Sequence, residues 1–180
     1  MKKLKTGDIV LFNNRNLLGF FQRVLTKYFL KHKSHITHTA IMYDNTFIAE
    51  ADWFLRLYPL KRYNLDNIAI LRFKKPYEFT EEKAKKLKEE FNKIVGEPYD
   101  FTNLLVAFFF IVFRKKIKLS SKERFICSEL VYKLLVNLTD EQKKEFLKCV
   151  GQQYCYPYHF ANLKDLDFID VIYQGKNFRW

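Results

Sequence analysis

Cysteine is scarce in this chain. The three present, Cys127, Cys149 and Cys155, are an odd count that excludes a secreted disulfide framework and suits a reduced compartment. Nothing in the sequence supports a bridge between Cys149 and Cys155. No Cys-x-x-Cys or His-Glu-x-x-His accompanies His32, His35 and His38. Zinc needs four ligands in tetrahedral closure, so neither a metal site nor a cofactor is expected. Long apolar runs are missing as well. The stretch 104–113 is almost wholly apolar, but about ten residues fall short of the roughly twenty that cross a hydrocarbon core, and it reads as a buried or interfacial helix. The N-terminus reaches Gly7 and Asp8 before any apolar stretch long enough for a signal peptide. The expectation is a cytoplasmic protein, with peripheral contact to a membrane allowed. There is no repeat, long linker or second boundary, which leaves residues 1–180 as a single domain.

What is abundant is apolar, aromatic and basic. The apolar fraction is 48% and the aromatic fraction 18%, with 19 Phe and 11 Tyr, and such a chain buries a core. Lys and Arg number 32 against 20 Asp and Glu, a net charge of +12 that favours anionic polymers, anionic lipid headgroups or acidic substrates. Runs such as Lys74-Lys75, Lys85-Lys86 and Arg114-Lys115-Lys116 read as solvated faces. No nucleic-acid motif accompanies the charge, so nucleic acid is not an expected partner.

Periodicity places the elements. Residues 9–12 read as a short buried strand behind Gly7-Asp8. Residues 17–33 carry Leu18, Phe21, Leu25, Tyr28 and Phe29 at helical spacing among basic residues. That helix either packs on a core with a wet basic face or lies on an anionic membrane surface. Residues 36–43 and 47–51 flank Asp44-Asn45-Thr46 as a hairpin, 68–73 and 168–173 read as further strands, and 80–95 reads as a charged helix capped by Thr80 and ended by Gly96. Residues 127–137 present Cys127, Leu130, Val131, Leu134 and Leu135 on one helical face, and 139–148 form another helix.

Three of these residues could share chemistry. His38 lies on a predicted strand, Glu50 on the next, and Cys127 opens a helix, where the macrodipole and first-turn amides favour a thiolate and could bind an oxyanion. Together they are the parts of a cysteine triad. Hairpin parity decides whether Glu50 can serve. A two-residue turn would pair Thr39 with Glu50 and set the carboxylate on the face opposite His38. A three-residue turn pairs Ala40 with Glu50, which puts Glu50 on His38's face and diagonal to it. The three-residue turn is expected here. Each residue also has an ordinary explanation: Cys127 as a small core residue, His38 as a satisfied core histidine, Glu50 as a strand-edge charge. His35, three residues before His38 and directed to the other strand face, is the rival base.

The arrangement resembles the permuted branch of the NlpC-type papain-like superfamily, the YiiX-like proteins, with lecithin retinol acyltransferases as more distant relatives. Thr6-Gly7-Asp8-Ile9-Val10-Leu11-Phe12 looks like the family's opening strand, Ser34-His35-Ile36-Thr37-His38-Thr39-Ala40-Ile41-Met42 like its histidine strand, and Ile48-Ala49-Glu50-Ala51 like its acidic strand. Gly96-Glu97-Pro98-Tyr99-Asp100-Phe101 resembles the Gly-x-x-Tyr-Asp segment, and Phe125-Ile126-Cys127-Ser128-Glu129-Leu130-Val131 the cysteine helix. Singly these motifs are weak; in family order they are far more specific.

The resemblance implies an α+β fold, an antiparallel sheet or partial barrel flanked by helices. It implies Cys127 as nucleophile, His38 as base, Glu50 as the group orienting the imidazole, and Tyr99 either lining the substrate cleft or simply packed in a turn. The implied activity is that of a cysteine hydrolase or acyltransferase on an amide, ester or thioester of a lipid or peptide. The basic helix and the many Phe residues favour a lipid-like substrate at an anionic surface. The same features also predict an alternative: a catalytically inactive membrane-surface or lipid-binding protein on the same scaffold.

Overall fold

A computed structural model describes residues 3–13, 34–98, 127–135 and 157–180 of the chain. Its strands are β1 (Ile9–Phe12), β2 (His38–Met42), β3 (Phe47–Ala51), β4 (Leu55–Pro59), β5 (Ile68–Phe73) and β6 (Ile169–Gln174). They form one six-stranded sheet in the order β4-β3-β2-β1-β5-β6, antiparallel at every junction. Of the two forms expected, sheet or partial barrel, the described residues make an open sheet. Two α-helices stand among them, α1 (Glu81–Ile94) and α2 (Cys127–Leu134). The expected helices 17–33, 104–113 and 139–148 lie outside the described residues, as do His32, Cys149 and Cys155.

Alternation along the strands sorts the core into two layers. Ile9, Leu11, Ile41, Ala49, Leu55, Leu71 and Phe73 point to one face, where they meet Leu87 and Phe91 of α1 and Cys127, Leu130, Val131 and Leu134 of α2. Val10, Phe12, Ala40, Met42, Ile48 and Ile70 point to the other, under Leu60, Tyr63 and Leu65. The latter come from the loop between β4 and β5, which carries two short 3-10 turns, Leu60–Arg62 and Leu65–Asn67. Both faces are therefore covered, and the strands read as apolar runs more than as clean alternation.

Local chemistry explains the boundaries. Thr80 caps α1, its Oγ1 accepting from the Lys83 amide at 3.3 Å, and Leu87 and Phe91 supply the buried stripe four residues apart. Gly96 follows at φ +91, a left-handed conformation that glycine takes without strain. Gly7 also has a positive φ, +90, and the Phe79 ring occupies the space a Cβ would need there. The next residue, Asp8, is buried and receives Arg72 of β5 in a two-pronged ion pair, Nε to Oδ1 at 2.7 Å and Nη2 to Oδ2 at 2.6 Å. That pair closes the sheet at the end where β1 starts. The strand β4 was not expected, although Leu55 and Leu57 against Arg56 and Tyr58 form a two-residue alternation. The segment Pro157–Asp165 is a 3-10 helix that buries Phe160 and Leu163 in the helix-side core.

Candidate active site

The opposite end of the sheet, where β1 finishes and β2 begins, holds the candidate residues. Phe12 pairs with His38 there, and the two rings lie tilted against each other at 5.3 Å. Across the hairpin, Ile41 pairs with Ala49 and Met42 with Ile48, and Tyr43 N–H donates to the Phe47 carbonyl at 2.9 Å. This is the register of the three-residue turn. It sets His38 and Glu50 diagonally on one face, and the His38 Nε2 to Glu50 Oε2 distance is 3.1 Å.

Cys127 belongs to the helix-covered face, whereas His38 belongs to the other, so an unbroken sheet would separate them. The strands make room. Met42 N–H turns to Asp8 on the β1 side and Tyr43 N–H to Phe47 on the β3 side; by that alternation the Thr39 amide also faces β3. Yet the pairing of β2 with β3 stops at Ile41 and Ala49, two residues short of Thr39 and Ala51. The His38 ring and the Thr39 and Ser128 amides are the groups that act on the Cys127 sulfur to favour its charged form. The sulfur thus reaches the imidazole through the gap where β2 and β3 part. With Nε2 on Glu50, the ring nitrogen left for sulfur is Nδ1.

The three groups are sheltered. Cys127 is 2% exposed and Glu50 1%, while the His38 side chain keeps 17%. Burial alone pushes the Cys127 thiol up. The His38 charge and hydrogen bond, with the Thr39 and Ser128 amides, outweigh it and hold the thiol below its usual range. For His38 burial disfavours the imidazolium, but the thiolate charge and the hydrogen bonds to Cys127 and Glu50 raise it well above the ordinary imidazole range. Burial likewise pushes Glu50 up, yet His38, the Tyr63 hydroxyl and the Arg62 charge hold it below the usual carboxylate value. The balance favours a thiolate facing an imidazolium backed by a carboxylate. Such an arrangement can attack a carbonyl carbon and return a proton to a leaving group.

Tyr63 was not anticipated. Its hydroxyl donates to Glu50 Oε1, so both carboxylate oxygens are engaged, and its ring lies against Phe12 at 4.9 Å. Burial and the Glu50 charge keep this phenol protonated far above neutrality. No sequence signal marks it, because it reaches Glu50 only through the 3-10 turn after β4. His35 lies in the segment ahead of β2, and His38 is the histidine joined to both Glu50 and Cys127. Tyr99 and Asp100 lie outside the described residues. Among the described residues no group of three His, Cys, Asp or Glu side chains could hold a metal, and no helix is long and apolar enough to cross a membrane.

No protein-family model matches the sequence, and no curated protein does. Among solved structures, the crystal structure of metalloprotein YiiX from Escherichia coli O157:H7, DUF1105, is similar over 96% of this chain and 98% of its own, with a TM-score of 0.61 and 18% sequence identity. At that identity the likeness shows the fold alone. An α+β chain with an open antiparallel sheet, this protein is YiiX-like in fold.

Proposed function

We propose that the protein is a cysteine hydrolase or acyltransferase of the permuted papain-like, NlpC type. Cys127 is the nucleophile, His38 its base and then its acid, and Glu50 the group that holds the imidazole. The observation that carries this reading is the Glu50–His38–Cys127 row, in which a buried carboxylate holds one side of the ring and the imidazole and the buried Cys127 thiol shift one another's protonation. The sulfur adds to the carbonyl of an amide, ester or thioester. The leaving group departs with the proton carried by His38, and water or a second acceptor resolves the acyl-enzyme. The favoured substrate is an N-acyl or ester-linked lipid, a peptide being the other member of the class. Tyr99 is proposed to line the cleft.

The fold relative is described as a metalloprotein. Cys127 and the His38 nitrogen turned towards it offer two donors, but Glu50 bonds the far ring nitrogen and cannot join them. The described residues do not fit a metal.

One observation favours the alternative of a non-catalytic membrane-surface protein. At the tip between β3 and β4, Trp53 is 68% exposed beside exposed Phe54, and the Arg56 guanidinium lies 4.8 Å over the Phe54 ring. Aromatic and cationic side chains so placed suit an anionic interface.

Incubating the protein with an activated acyl ester and weighing it by mass spectrometry separates the readings. Acyl transfer predicts a single adduct on Cys127, absent from Cys127→Ala, and turnover that vanishes in His38→Ala. Folded protein that takes no adduct yet binds anionic vesicles leaves the surface-binding reading in its place.

A further inference from the structure

Thr39 is wholly buried, at 0% exposure, and its Oγ1 has no hydrogen-bond partner among the described residues. A buried hydroxyl without a partner is unfavourable in a resting core, where valine would fill the same volume without the orphaned group. Its placement is specific. Strand alternation sets the side chain with Leu11 and Ile41 on the helix-covered face, from which Cys127 approaches. The Thr39 amide is among the groups that favour the charged Cys127 sulfur, and only Cα and Cβ separate that nitrogen from the hydroxyl. The other buried polar atom without a partner among the described residues, Asn13 Oδ1, follows β1 at the same end of the sheet. Its side chain continues the alternation of Ile9 and Leu11. Polar groups without partners therefore gather on the nucleophile's side of the sheet, where the rest of that layer is apolar.

We propose that Thr39 is a further catalytic residue, its hydroxyl donating to the carbonyl oxygen of the bound acyl group as charge develops there. This rests on the reading of Cys127 as nucleophile. As the carbon–sulfur bond forms, the carbonyl π pair moves onto oxygen, and the Thr39 O–H receives it without giving up its proton. The pair then returns, the carbonyl reforms, and the bond to the leaving group breaks as His38 supplies that group's proton. Among the described residues the resting hydroxyl has no partner, and the substrate oxygen supplies one.

Two reagents distinguish the steps. p-Nitrophenyl acetate acylates sulfur through a tetrahedral oxyanion, whereas iodoacetamide alkylates it at a saturated carbon and forms none. In the full chain, Thr39→Val is expected to slow Cys127 acylation by about a hundredfold, the scale of losing one oxyanion donor. Alkylation should stay within about twofold, since the backbone amide on the sulfur is retained. Thr39→Ser should keep acylation and Thr39→Ala lose it, so the contrast survives a valine variant that folds poorly. Unchanged acylation in Thr39→Val overturns the proposal. So does a parallel loss of acylation and alkylation, which would make Thr39 a support for the sulfur alone. A wild type that alkylates at Cys127 but never acylates refutes the nucleophile reading itself, before any variant is compared.

Discussion

The sheet carries a buried carboxylate at each end, and the two are held in different ways. Asp8, where β1 starts, is gripped by both prongs of the Arg72 guanidinium, a cation that never titrates near neutrality. Glu50, near the end of β3, is held by Tyr63 and His38, and His38 keeps a second nitrogen for Cys127. The arginine pair is closed: the guanidinium engages both Asp8 oxygens, and the result is a staple between β1 and β5. The histidine pair is open at one side and can pass a proton. Burial is nearly equal in the two places, so the partner's chemistry decides which carboxylate belongs to the framework and which to the proposed reaction.

The largest contrast comes from His38→Ala. Acylation of Cys127 by an activated ester should fall about a thousandfold, roughly 4 kcal/mol, with little change in the thermal unfolding midpoint. Asp8→Ala should do the reverse. Leaving the partly buried Arg72 unpaired should lower unfolding free energy by about 3 kcal/mol in a urea titration, while the pH dependence of Cys127 alkylation stays put. If Asp8→Ala moved that profile as much as His38→Ala, the two ends would not be separate systems.

Glu50→Gln has a smaller, signed effect. With the carboxylate charge gone, His38 loses part of what raises it. The alkaline limb of the acylation profile, which falls as the imidazolium is lost, should move to lower pH, with a rate loss of about tenfold to a hundredfold at neutral pH. Stability should respond on the acid side. A carboxylate held below its unfolded value of about 4.3 contributes stability above that pH and loses it as pH falls through the folded value; this loss should be absent from the glutamine variant. Tyr63→Phe should have the smallest effect, about 1 kcal/mol for one hydrogen bond. Glu50 should then titrate higher, while the alkaline limb, where the carboxylate keeps its charge, should stay close to that of the wild type.

The half of the site that depends on local pattern was legible in the sequence. The turn Asp44-Asn45-Thr46 sets the parity that brings Glu50 to His38, and Asp44 Oδ1 accepts from the Thr46 and Phe47 amides at 2.7 Å to hold it. The spacing of Cys127, Leu130, Val131 and Leu134 set the buried face of α2. What depends on distant segments meeting was not legible. Arg72 sits within a strand run and reveals its partner only when β5 lies beside β1. Tyr63 finds Glu50 through a turn whose path no periodicity describes. The parting of β2 from β3 at Thr39 is a departure from regular pairing, and a two-residue repeat cannot announce where it stops. The strand β4 is a different case, because Leu55 and Leu57 carried the alternation and the neighbouring Trp53, Phe54 and Pro59 obscured it.

The account stands or falls on whether His38 activates the Cys127 sulfur. The rate of Cys127 alkylation by iodoacetamide, followed against pH in folded wild type and in His38→Ala, reads this directly. A thiol held down by the imidazolium should reach its full rate below the ordinary thiol pKa of about 8.5. In His38→Ala burial is then left opposed only by the backbone amides, and the profile should move to higher pH. Wild-type and His38→Ala profiles that coincide, both rising at or above the ordinary thiol value, would contradict it.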